Sequence, residues 1–222
     1  MRKVPGAIWR VAFAVWSPRR AGAEMRWRDV AGALGIVIGA TWMLVVGWML
    51  ALASVPNAEE LLGTNAIVRG PLVGVAIVSA SVVVLFRILV MGFLVWAAAS
   101  MMYELRSAAL VVGPVVLAEV PRLYGRVMEI VLVVARRGDV ESVTELVPRI
   151  GINSFFGELP VIWDVVLQNV NVFEIGAVMV LTAGLIDSMD GSVRRAVLVA
   201  ITSWLVVAGC SVVWRIAVGY TG

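Results

Sequence analysis

The sequence predicts an all-α fold: a polytopic transmembrane helical bundle of about five spans, preceded by an amphipathic N-terminal segment. Three observations carry this. Of 222 residues, 61% are apolar and only 15% charged, with a mean hydropathy of +0.98, whereas soluble chains run near ~25% charged and ~45–50% apolar. The charges collect between uncharged runs that approach or exceed the ~20 residues needed to cross a bilayer. Residues 1–29 hold seven basic residues against two acidic ones, a net of +5, while the remainder holds eleven against thirteen, a net of −2. Such a basic excess beside the first run places the N-terminus in the cytoplasm. Five crossings then leave the C-terminus outside, as expected of a multi-pass protein of the cell membrane.

Composition also removes chemistries. The chain has no histidine, which excludes His-bound zinc, His-ligated haem and Ser-His-Asp triads. A single cysteine, Cys210, excludes an intrachain disulfide and a thiolate cluster. There is no Walker loop, GxSxG elbow or CxxC pair. The run Asp187-Ser188-Met189-Asp190-Gly191-Ser192-Val193-Arg194-Arg195 is similar in part to the Asp-Gly-x-x-Ala-Arg opening of CDP-alcohol phosphotransferases. Arg194 stands where that motif has alanine, however, and no acid follows Asp190, so the run reads as a turn between spans. No catalytic, cofactor-binding or metal residue is expected, and nucleic acid is not an expected partner.

The first unit, residues 1–29, offers Ile8, Trp9, Ala12, Phe13, Val15 and Trp16 as an apolar side, with arginines able to face anionic head groups. A cleaved signal peptide is not expected, because Arg10 interrupts the apolar stretch after Ile8 and Trp9. The second unit, 30–222, holds the spans. Residues 30–54 lack any charge and end near Pro56, and their Gly35-xxx-Gly39 spacing would admit a closely packed helix. Residues 70–103 are broken only by Arg87, and one tilted helix over 74–101 fits them. Residues 107–134 form a third span carrying Pro114 and Pro121, each of which frees a backbone carbonyl that a neighbour must satisfy.

The connection 136–164 holds three basic residues against five acidic. Asp139 can cap a short amphipathic helix ended by Pro148, and Phe155, Phe156 and Trp163 suit an interface. A fourth span covers 166–186. Its entry, Gln168-Asn169-Val170-Asn171, is polar, so the helix is expected to begin at depth or in shelter. Residues 196–215 make the fifth.

Charges inside spans are costly, at ~2.5–3.5 kcal/mol on insertion scales, and call for partners or water. Six are candidates for an intramembrane network: Arg87, Glu119, Arg122, Arg126, Glu129 and Glu174. The four between 119 and 129 fall within an arc of roughly 80° at about 100° per residue. Arg87 lies mid-span, and depth selects Glu119 as its partner, with Glu174 second. The set fits either dry interhelical ion pairs or a hydrophilic path for a solute.

Four stretches together resemble the Yip-domain family of small five-span membrane proteins, in its prokaryotic form. They are Val15-Trp16-Ser17-Pro18-Arg19, Gly70-Pro71-Leu72-Val73-Gly74, the entry Leu105-Arg106-Ser107-Ala108-Ala109 leading to Gly113-Pro114, and Asn171-Val172-Phe173-Glu174 running to Gly184-Leu185 with Arg194-Arg195-Ala196 beyond. The resemblance implies a non-enzymatic scaffold that organises membrane or binds partners. Those partners are the lipid bilayer, a membrane or peripheral protein, or a second copy of the chain. The alternative is a small-solute channel or transporter component.

Overall fold

A computed structural model describes residues 11, 25–56, 70–102, 108–138, 150–156, 159–189 and 191–219. The described residues are helical, with no strand among them. Among the described residues, three helices are long and apolar enough to cross a membrane: Trp27–Ala53, Leu72–Met101 within a longer helix, and Val193–Val213. Of the N-terminal segment, Val11 is described, and it packs against the core. The amphipathic stretch around it and the expected helix at 139–148 lie outside the described residues.

α1 runs Trp27–Ala53. Asp29 in its first turn accepts the Arg26 backbone N–H at 3.3 Å, which satisfies a donor that the helix leaves orphaned. α2 spans Gly70–Met102 in one piece of 33 residues, with Arg87 at its middle. Trp42 of α1 donates its indole N–H to the Ser81 hydroxyl of α2 at 2.7 Å.

The expected third span is two helices, α3 (Ala109–Leu117) and α4 (Glu119–Arg136). Pro121 explains the break. It has no N–H to return to the Leu117 carbonyl four residues back, and its ring crowds that carbonyl. The helix is interrupted at Ala118, although its N–H keeps the ordinary α-helical bond to the Pro114 carbonyl at 2.9 Å. Pro114 sits inside α3 and frees the Leu110 carbonyl in the same way. Ser188, from the far end of the chain, donates its hydroxyl to that carbonyl at 3.0 Å. α3 is buried on nearly every side, from Ala109 and Val111 through Gly113 to Leu117, and forms the axis of the core.

The expected fourth span is also broken. α5 (Val161–Gln168) and α6 (Val172–Leu185) are separated at Asn171, whose side chain serves both. Its amide donates to the Gln168 carbonyl at 3.2 Å, and its oxygen accepts from Phe173 and Glu174 N–H at 3.0 and 2.9 Å. An Asn cap of this kind is a strong helix start. Asp187–Met189 form a short 3-10 turn, Gly191 follows at φ 77° with its N–H on the Ile186 carbonyl at 2.9 Å, and α7 runs Val193–Gly219.

Close approaches fix the directions. A Cβ at Gly184 would lie 2.7 Å from Pro114, one at Gly176 3.3 Å from Pro121, and one at Gly125 3.1 Å from the Phe173 ring. As one helix ascends, its partner descends, so α6 is antiparallel to the α3–α4 rod. The same logic makes α2 antiparallel to that rod (Gly92 on Val112, Arg87 on Glu119) and α1 parallel to it (Met25 on Gly113, Gly47 on Ile130). α7 returns beside α6 to meet Glu174. The rods α1, α2, α3–α4, α6 and α7 thus alternate in direction. A Cβ at Gly35 or Gly39, by contrast, would meet nothing within 4 Å among the described residues.

Candidate functional site

The kinks and caps that break the two middle rods also place their acids. Glu119 is the first residue of α4, and Glu174 lies in the first turn of α6, where the helix dipole favours a carboxylate. Pro121 packed on Gly176 brings these two helix starts side by side.

Arg87 reaches Glu119 from α2 through both ends of its guanidinium. Nε donates to Oε1 at 3.0 Å and Nη2 to Oε2, the two-pronged geometry that makes Arg–carboxylate bonds strong and directional. The partner expected from depth is the one observed. Arg122 donates through Nη1 to the same Glu119 Oε1 at 2.9 Å. Its Nε and Nη2 close a second fork on Glu174, both at 2.8 Å. Glu174 also accepts the Trp204 indole N–H from α7 at 3.2 Å. One connected chain therefore runs from α2 through α4 and α6 to α7. It holds two cations and two anions, so it is neutral. Glu119 keeps 3% of its side-chain surface exposed and Arg122 9%.

No protein family, curated protein or solved structure matches the chain.

The other two candidates stand apart. Arg126 and Glu129 pair with each other across one helical turn at 2.7 Å, with Arg126 64% exposed. Among the described residues no bond joins this pair to the Arg87–Trp204 chain. The six candidates thus divide into a connected four, of which Glu119 is buried, and a separate two. No group of three acidic or cysteine side chains able to hold a metal ion occurs among the described residues.

Trp204 was not among the candidates. Its signal was present, because an indole N–H at mid-helix in an otherwise apolar run must find an acceptor. Sequence alone does not say which one. Phe155, Phe156 and Trp163, the expected interfacial residues, are all exposed.

Proposed function

We propose that the chain is a non-enzymatic, five-crossing scaffold of the cell membrane, of the Yip-domain type, that organises membrane or binds a protein partner. In this reading α1, α2, the α3–α4 rod, the α5–α6 rod and α7 each cross once. The N-terminus lies in the cytoplasm and the C-terminus outside. One observation supports it above the others. The ionisable groups at the heart of the bundle saturate one another, each carboxylate held by at least one two-pronged guanidinium, so they serve as an interhelical clasp. The alternating rods are compatible with five crossings, and the +5 segment of residues 1–29 suits an anionic cytoplasmic leaflet.

A second reading, a small-solute channel or transporter component, is favoured by the two helix breaks at Ala118 and Asn171. Discontinuous helices with their N-termini at depth are how many transporters build a solute site. One experiment separates the readings. The purified chain is reconstituted in liposomes and assayed for solute flux, alongside affinity purification from native membranes. A scaffold recovers a stable protein partner and gives no flux sensitive to Arg87→Leu. Flux that requires Arg87, with no partner recovered, overturns the scaffold reading.

A further inference from the structure

Contacts draw one level across the bundle. The Phe173 ring of α6 lies against Gly125 of α4, and Gly47 of α1 lies against Ile130. Trp42 precedes Gly47 by as many residues as Gly125 precedes Ile130, so on these parallel helices Trp42 is level with Gly125. Its indole meets Ser81 of α2, which extends the level to that helix. Trp204 of α7, bonded to Glu174 beside Phe173, completes it.

Outward of this level three helices go on presenting apolar side chains. α1 exposes Val46 and Leu50, α2 exposes Val78, Val75 and Leu72, and α7 exposes Val206 and Val213. Leu50 is eight residues past Trp42, and Leu72 and Val213 are nine past Ser81 and Trp204, which is ~12–14 Å of helix. α6 stops at the level itself. Its outward side begins with Val172, its first residue, and continues through Ile175 and Met179, all exposed. The next residues outward include Asn171, Asn169 and Gln168, amides that hydrocarbon does not solvate.

The preceding segment is fastened to the same end. The Ile152 N–H donates to the Val170 carbonyl at 3.0 Å, and the Asn153 amide donates to Asp164 at 3.0 Å. These bonds bring the exposed Phe155, Phe156 and Trp163 close to the start of α6, and aromatic rings collect at membrane–water boundaries. With 14 residues, α6 is only ~21 Å long against ~30 Å of hydrocarbon.

We propose that the outer leaflet is pinched at the α5–α6 side, so that phospholipid head groups descend there to the first turn of α6 and stand farther out around α1, α2 and α7. An apolar stretch shorter than the bilayer is accommodated by thinning it. The inference rests on the five-crossing scaffold reading and gives it a physical means of organising membrane. A bundle that is thick on three sides and thin on one imposes a slope on the lipids around it.

Met43 and Val172 decide the matter, because they stand within about one residue's rise of the same level, on different helices, and are 77% and 69% exposed. A depth-reporting fluorophore is attached to Met43→Cys or Val172→Cys of the full chain in a Cys210→Ser background. The vesicles are phosphatidylcholine carrying a nitroxide either near the head group or near the acyl end. Val172 is expected to be quenched more by the shallow nitroxide and Met43 more by the deep one. Ile175→Cys, one turn inward on α6, should move toward the deep pattern. The same depth at Met43 and Val172 overturns the pinch and leaves the crossings intact. Quenching at Met43 with none at Val172 means that a protein surface, such as a second copy, covers α6, and overturns the pinch as well. No quenching at Met43 by either lipid removes α1 from the bilayer and overturns the crossing reading together with the pinch.

Discussion

Glu119 and Arg122 share an arc of one helix with Arg126 and Glu129, and each pair is a carboxylate and a guanidinium three residues apart. The first pair is joined by Arg87 and Glu174 from two other helices and is largely withdrawn from solvent. The second has only itself, and its cation stands open. The chemistry is the same, so the surroundings make the difference. A buried charge is tolerable only when every partner is in place, because desolvation is repaid by several good bonds at once. An open charge exchanges one solvated partner for another and gains little.

Removing one carboxylate from each half separates the two surroundings by the widest margin. Glu119→Leu strands the Arg87 guanidinium and leaves Arg122 with Glu174 alone, and should cost about 3–5 kcal/mol, seen as a large fall in folded yield and melting temperature in detergent. Glu129→Leu should fall well short of that. Equal losses would mean that the two halves share one environment.

Packing gives a second contrast of intermediate size. Gly184→Val drives a side chain into Pro114, where even a Cβ lies at 2.7 Å, and overpacking of this kind costs about 1–3 kcal/mol. A Cβ at Gly35 meets no atom within 4 Å among the described residues, so Gly35→Val should be near neutral by the same melting measurement. A destabilised Gly35 variant would reveal a neighbour at that face, such as a second copy. The smallest effect is expected at the open pair. Arg126→Gln should change stability by less than ~1 kcal/mol, as exposed ion pairs do. A loss matching that of Glu119→Leu would place Arg126 within the clasp.

Much of this was legible in the sequence, and the reasons differ by element. The uncharged run at 30–54 and the lone Arg87 define α1 and α2 because the bilayer sets both length and polarity. The Arg87–Glu119 pair could be read from depth, since antiparallel rods of known rise bring only certain residues level. The break at Ala118 was half visible. Pro121 announces a freed carbonyl, yet whether the rod bends or divides depends on what packs against it, and Gly176 is 55 residues away. Asn171 gave a polar entry, but its double role as cap of α6 and end of α5 follows from a turn that composition does not reveal. The division of the stripe was illegible for a related reason. A helical wheel orders residues around one axis and says nothing of whether a neighbour stands opposite. Trp204 escaped because its acceptor, Glu174, lies on another helix.

Arg87 and Glu119 hold each other in place. The decisive measurement is a double-mutant cycle of Arg87→Leu and Glu119→Leu, read as melting and folded yield in detergent. Each single variant should be strongly destabilised, and the double variant should lose clearly less than their sum, because removing both leaves fewer charges stranded. Losses that simply add would contradict the clasp and leave Arg87 to be solvated by water.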